Sequence, residues 1–103
     1  MNKDISRAIE LFRNYKLDES REILEKIIQI EPENIEALVM LGNIHSRTQN
    51  YGVAINHFQK AIDLQPDNTE AITGLQLVRN ILQLTNNYYF ENPYTDDALY
   101  EFE

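Results

Sequence analysis

The sequence predicts an all-α protein, a stack of five helices in antiparallel pairs followed by an acidic, aromatic tail. Three observations predict it. A segment recurs at a spacing of 34 residues, with Ile30-Glu31-Pro32-Glu33-Asn34 answered by Leu64-Gln65-Pro66-Asp67-Asn68. Apolar residues in each half-unit keep a helical period, as do Ile23, Leu24, Ile27, Ile28 and Ile30. The composition then breaks near residue 86. Nine bases and twelve acids precede Tyr88, whereas the last sixteen residues carry five acids, no base and six of the ten aromatics.

Each element follows from local pattern. Ile5, Ala8, Ile9, Leu11 and Phe12 give one apolar face to a first helix over about 3–14. The isoleucine-rich run supports a second over about 18–30, and Leu38, Leu41 and Ile44 a third over about 35–48. Ala54, Ile55, Phe58, Ala61 and Ile62 define a fourth over about 52–63, with a fifth over about 68–84. Asn14 and Asn50, the latter followed by Gly52, suit left-handed or capping geometry at the tight turns. Pro32 and Pro66 cannot continue a helix, so each closes a pair. Asp67 and Glu70 have the spacing of a capping box.

Composition narrows the function. At 103 residues the chain makes one small domain with a modest core. A net charge of −8 and a pI near 4.6 argue against nucleic acid or an anionic membrane as partner. With no cysteine there is no disulfide framework, no Cys-ligated zinc and no thiol nucleophile. The charged start, Met-Asn-Lys-Asp-Ile-Ser-Arg, is not that of a signal peptide, and no apolar run is long enough to span a bilayer. The expected location is the cytoplasm.

At this point the residues resemble a family. The 34-residue unit looks like a tetratricopeptide repeat, a helix–turn–helix whose small and large signature positions fall on Leu38, Leu41, Gly42, His45, Ala54, Phe58, Ala61 and Pro66. His45 stands where the family usually has Tyr. In the first unit Ala8, Leu11, Ser20, Leu24, Ile27 and Pro32 fit, while Asp4 and Arg7 replace apolar residues, as an outermost helix allows. The resemblance implies repeats over 1–34 and 35–68, a capping helix over 69–85 and a tail over 86–103. It implies a right-handed superhelical stack, a solenoid that binds protein and does not transform a substrate. Two repeats plus a helix also resemble small tetratricopeptide proteins of Bacteroidetes.

The residues offer no catalytic constellation, metal ligand set or cofactor motif. Two histidines, His45 and His57, lack partners at chelating spacing, and no HExxH motif or glycine-rich phosphate loop exists. His45 reads as a packing residue with a satisfied hydrogen bond, His57 as solvent-facing. The family places its ligand groove on the first helix of each unit. Here that groove is lined by Ile5, Ile9, Phe12, Val39, Met40, Asn43, Thr73 and Leu77, with Gly74 beside them. Asn43 can donate to a peptide backbone. Positions that clamp a chaperone's terminal carboxylate in one subgroup hold Ile5, Ile9, Met40, Glu70 and Gly74, which cannot do so.

The expected partner is therefore a protein or peptide held in an apolar groove. The alternative is a self-associating structural protein whose groove is filled by its own tail or a neighbour's. Tyr88, Tyr89, Phe90, Tyr94, Leu99, Tyr100 and Phe102 give that tail the character of a ligand. Thr95 can cap a short helix there, with Asp96 and Asp97 in its first turn.

Overall fold

The computed structural model describes residues 2–91, and side-chain surroundings for residues 3–84. Five helices follow one another: α1 (Asn2–Arg13), α2 (Leu17–Ile30), α3 (Ile35–Arg47), α4 (Tyr51–Leu64) and α5 (Thr69–Glu91). No strand occurs among the described residues. All five expected helices are present, and the fold is the expected all-α helical repeat. Three-residue turns join α1 to α2 and α3 to α4, whereas four-residue turns join the pairs. Helices joined so tightly run antiparallel, so α1, α3 and α5 share one direction.

The two tight turns are built alike. Leu11 and His45 accept from the amides of Lys16 and Asn50, each at 2.8 Å, while Phe12 and Ser46 accept from Tyr15 and Gln49. That bond pattern closes a helix when the intervening residue turns left-handed. The left-handed residues are Tyr15 at φ 62° and Gln49 at φ 66°, not the asparagines beside them. The bond pattern dictates which residue must turn, and it selects the position before Asn50 and after Asn14.

The longer turns repeat as well. Asn34 Oδ1 accepts from the Ala37 amide at 3.0 Å while its Nδ2 donates to Glu31 Oε1 at 3.0 Å. Asn68 does the same 34 residues on, accepting from Ala71 and donating to Gln65, both at 2.8 Å. The expected Asp67 box gives way to an Asn68 cap, because the asparagine stands three residues before the amide needing a partner.

Packing forms two joined cores. Ile5, Ala8, Leu24, Ile27, Ala37, Leu41 and Ile44 are buried together across α1, α2 and α3. Leu38, Val39, Ala54, Phe58, Ala61, Ala71, Leu75 and Val78 are buried across α3, α4 and α5. Because α3 contributes to both, it is the spine of the stack. Ser20 fits the first core by donating from Oγ to the Ala8 carbonyl at 2.8 Å.

Phe58 is the wedge of the second core. A Cβ added to Gly42 would lie 2.5 Å from its ring, and one added to Gly74 would lie 2.4 Å from it. Both glycines are thus required by one aromatic ring, so Gly74 is a packing position and not a groove position.

α5 also corrects a boundary. Expected to stop near 84 or 85, it continues to Glu91 and takes Tyr88, Tyr89 and Phe90 into the helix. No Gly or Pro stands between Leu75 and Asn92, so nothing local ends it before the residue preceding Pro93. The rest of the expected tail, including Tyr94, Leu99, Tyr100 and Phe102, lies outside the described residues.

Candidate functional site

The parallel helices α1, α3 and α5 leave a trough of about 600 Å³ on one face of the stack. Ile9, Phe12, Val39, Met40 and Asn43 line it, as the sequence leads one to expect. On α1, Ile9 and Phe12 are one turn apart and half-buried. On α3, Met40 and Asn43 repeat that spacing, with buried Val39 next to Met40.

Three expected groove residues lie elsewhere. Ile5 is 6% exposed and packs in the core with Leu24 and Ile27 of α2. Thr73 and Leu77 are exposed on α5 but do not line the trough, because it lies at the start of that helix. Only Asn68 and Glu70 reach it from there.

Residues not expected in the apolar lining complete the wall: Ile35 and the charged or polar Arg13, Glu36, Gln65, Asn68 and Glu70, the last at a position the family resemblance had already marked. Glu36 and Glu70 are 34 residues apart, so the repeat itself was the available signal for them. Arg47 places its guanidinium carbon 4.6 Å from the centre of the Phe12 ring, covering part of that ring with a cation. The site is thus an apolar floor with acids and arginines at its edge.

The histidines stand away from this trough. His45 on α3 is 6% exposed, and its ring stacks on that of His57 on α4, centres 5.5 Å apart and 19° from parallel. The hydrogen bond expected for His45 is not made: neither ring nitrogen has a protein partner. His57 is half-buried, not solvent-facing. Burial lowers the pKa of both; Glu25 of α2 opposes this in each case, and Arg21 adds to it for His45. For His57 the neighbouring His45 adds to it as well, more than Lys60 does. Among the described residues no three His, Cys, Asp or Glu side chains gather as a metal site, and no helix is long and apolar enough to cross a membrane.

Comparison with known proteins places this geometry. Residues 35–68, which comprise α3, α4 and the turn after them, match the family model for the tetratricopeptide repeat. The chain is 33% identical over 82 residues to the DnaJ homolog subfamily C member 7 homolog of Schizosaccharomyces pombe. That match covers 80% of this chain and 17% of the relative. It is 29% identical over 101 residues to Superkiller protein 3 of Saccharomyces cerevisiae, covering 89% of this chain and 7% of the relative. The chain therefore spans less than a fifth of the length of either protein. Both are yeast proteins and neither bears on the resemblance to Bacteroidetes proteins. Residues 35–68 are thus a repeat of the tetratricopeptide-repeat family.

Proposed function

We propose that the trough between α1, α3 and α5 binds a peptide or helix of a partner protein, and that the chain acts as an adaptor without chemistry of its own. Proteins of this family bind other proteins, and the coarse assignment of an interaction module rests on that repeat. The observation that carries the finer reading is the trough itself. Half-buried Ile9, Phe12 and Met40 offer apolar contact, and Asn43 stands among them with an amide able to pair with a backbone.

The rim bears on what the ligand is. Glu36 and Glu70 face the trough with Arg13, so an acidic segment gains little there. This disfavours the chain's own acidic tail as the occupant and favours a neutral or basic apolar segment. The trough also lacks the basic cluster that would seize a terminal carboxylate.

Peptides selected from a displayed library against the full chain test the reading by nuclear magnetic resonance. Amide shifts should concentrate at Ile9, Phe12, Met40 and Asn43, and Met40→Glu should weaken binding about tenfold or more, since it sets a charge on the apolar floor. Shifts confined to the outer faces of α2 and α4 would overturn it.

A further inference from the structure

A second trough, of about 360 Å³, opens on the first helix pair and is lined by α1 and α2 alone. Ile23, Ile27 and Ile30 form its apolar side, and Ile30 is 68% exposed. Arg7 and Lys26 stand at its rim with Asp4. Both cations are exposed, and among the described residues neither has an ion-pair partner. We infer that this trough receives the segment Tyr94–Phe102 from a second copy of the chain.

Charge points to that occupant. Residues 92–103 carry four acids and no base, together with Tyr94, Leu99, Tyr100 and Phe102. Such a segment fits an apolar surface edged by cations. Across the body, residues 31–91 hold three bases against seven acids, whereas residues 2–30 hold six of each. The first helix pair is thus the least repulsive part of the molecule for this segment, and the larger trough presents Glu36 and Glu70 instead.

Geometry requires the second copy. The tail leaves from Glu91, at the far end of a helix that runs parallel to α1. Asp4 and Arg7 lie near the start of α1. Twenty-three helical residues cover about 34 Å, and two helix-to-helix steps separate α5 from α1 sideways, so the path is roughly 40 Å. Only Asn92 and Pro93 precede Tyr94, a reach of about 7 Å. A copy cannot lay the whole of Tyr94–Phe102 in its own trough, since only the last residues of the segment could approach it, but two copies can fill each other's.

Sedimentation equilibrium of the full chain over a wide concentration range tests this. The average mass should rise above the 12.1 kDa of one chain, and added salt should reverse the rise. Arg7→Glu with Lys26→Glu should weaken association about tenfold, as two exposed charge contacts are lost and made repulsive. Adding Asp96→Lys and Asp97→Lys to that variant should restore it. Ile30→Ser tests the apolar side without altering charge and should also weaken association. Circular dichroism checks that each variant keeps its helices. A mass of one chain throughout, or association indifferent to both Ile30→Ser and the Arg7/Lys26 reversal, would overturn the inference. So would association that survives those changes but is lost in Met40→Glu, because the tail would then occupy the larger trough.

Discussion

Tyr15 and Gln49 occupy corresponding positions in the two units, and both hold a left-handed backbone at which a side chain costs about 1–2 kcal/mol. Neither side chain is buried; Tyr15 is 78% exposed. Replacing either with glycine removes that strain, offset in part by the greater freedom of glycine in the unfolded chain. We expect Tyr15→Gly and Gln49→Gly each to raise stability by about 0.5–1 kcal/mol, read as a higher urea midpoint with unchanged slope. A lower midpoint would show that these side chains contribute contacts the turn depends on.

The histidine pair has a pH signature at the same scale. In the unfolded chain each imidazole titrates near 6.5, whereas in the fold burial holds both lower. The unfolded state therefore binds protons first as pH falls. The favourable contribution of the neutral, stacked pair is complete above about pH 6.5 and is lost progressively below it, down to the lowered folded values. Urea melts at pH 7.5 and pH 5 should show the fold weaker in acid, and His45→Phe should flatten much of that difference. An undiminished slope in His45→Phe would assign the acid sensitivity to carboxylates elsewhere.

Among the elements, the contact of α3, α4 and α5 depends on one large side chain facing two positions without one. Gly42 and Gly74 each leave room for the Phe58 ring, which is wholly buried. Gly74→Ala forces a Cβ against that ring, and we expect it to cost about 1–3 kcal/mol in a thermal or urea melt. Phe58→Leu in the same chain should recover part of the loss, since a smaller side chain vacates the clash. Phe58→Ala alone should cost about 3–5 kcal/mol through the cavity it opens. The asparagine caps act on a smaller scale: Asn34→Ala or Asn68→Ala should cost about 1 kcal/mol, because each leaves a helix-start amide without its acceptor.

For the molecule as a whole, the sharing of α3 between both cores makes the stack one cooperative unit. Helicity by circular dichroism and the fluorescence of Tyr15 and Tyr51, one in each helix pair, should lose their native values at the same urea concentration once the remaining tyrosines are changed to Phe. Transitions that separate would show that the first pair melts alone.

Much of this architecture was legible because a repeat writes its packing twice. The 34-residue period, the helical spacing of Ile23 to Ile30 and the prolines at 32 and 66 were enough to place five helices and their pairing. Five trough residues could also be read, since Ile9, Phe12, Val39, Met40 and Asn43 lie on helices that the repeat makes parallel. Ile5 could not be separated from them, because an apolar residue on a helix looks the same in sequence whether a neighbouring helix covers it or not. Glu36 at the rim escaped for the opposite reason: a charge in sequence reads as a solvated surface until a neighbour is seen across a groove.

By itself, then, the sequence determined the helical repeat, the boundaries set by turn chemistry and the family, all of which depend on contacts within a unit or at a fixed spacing between units. Tertiary structure decided which apolar residues are covered, that Gly74 exists to admit Phe58, that His45 stacks on His57 with neither of its own ring nitrogens hydrogen-bonded and that Glu36 and Glu70 stand at the larger trough. Those properties arise where residues distant in sequence come within a few ångströms, and local periodicity carries no record of such meetings.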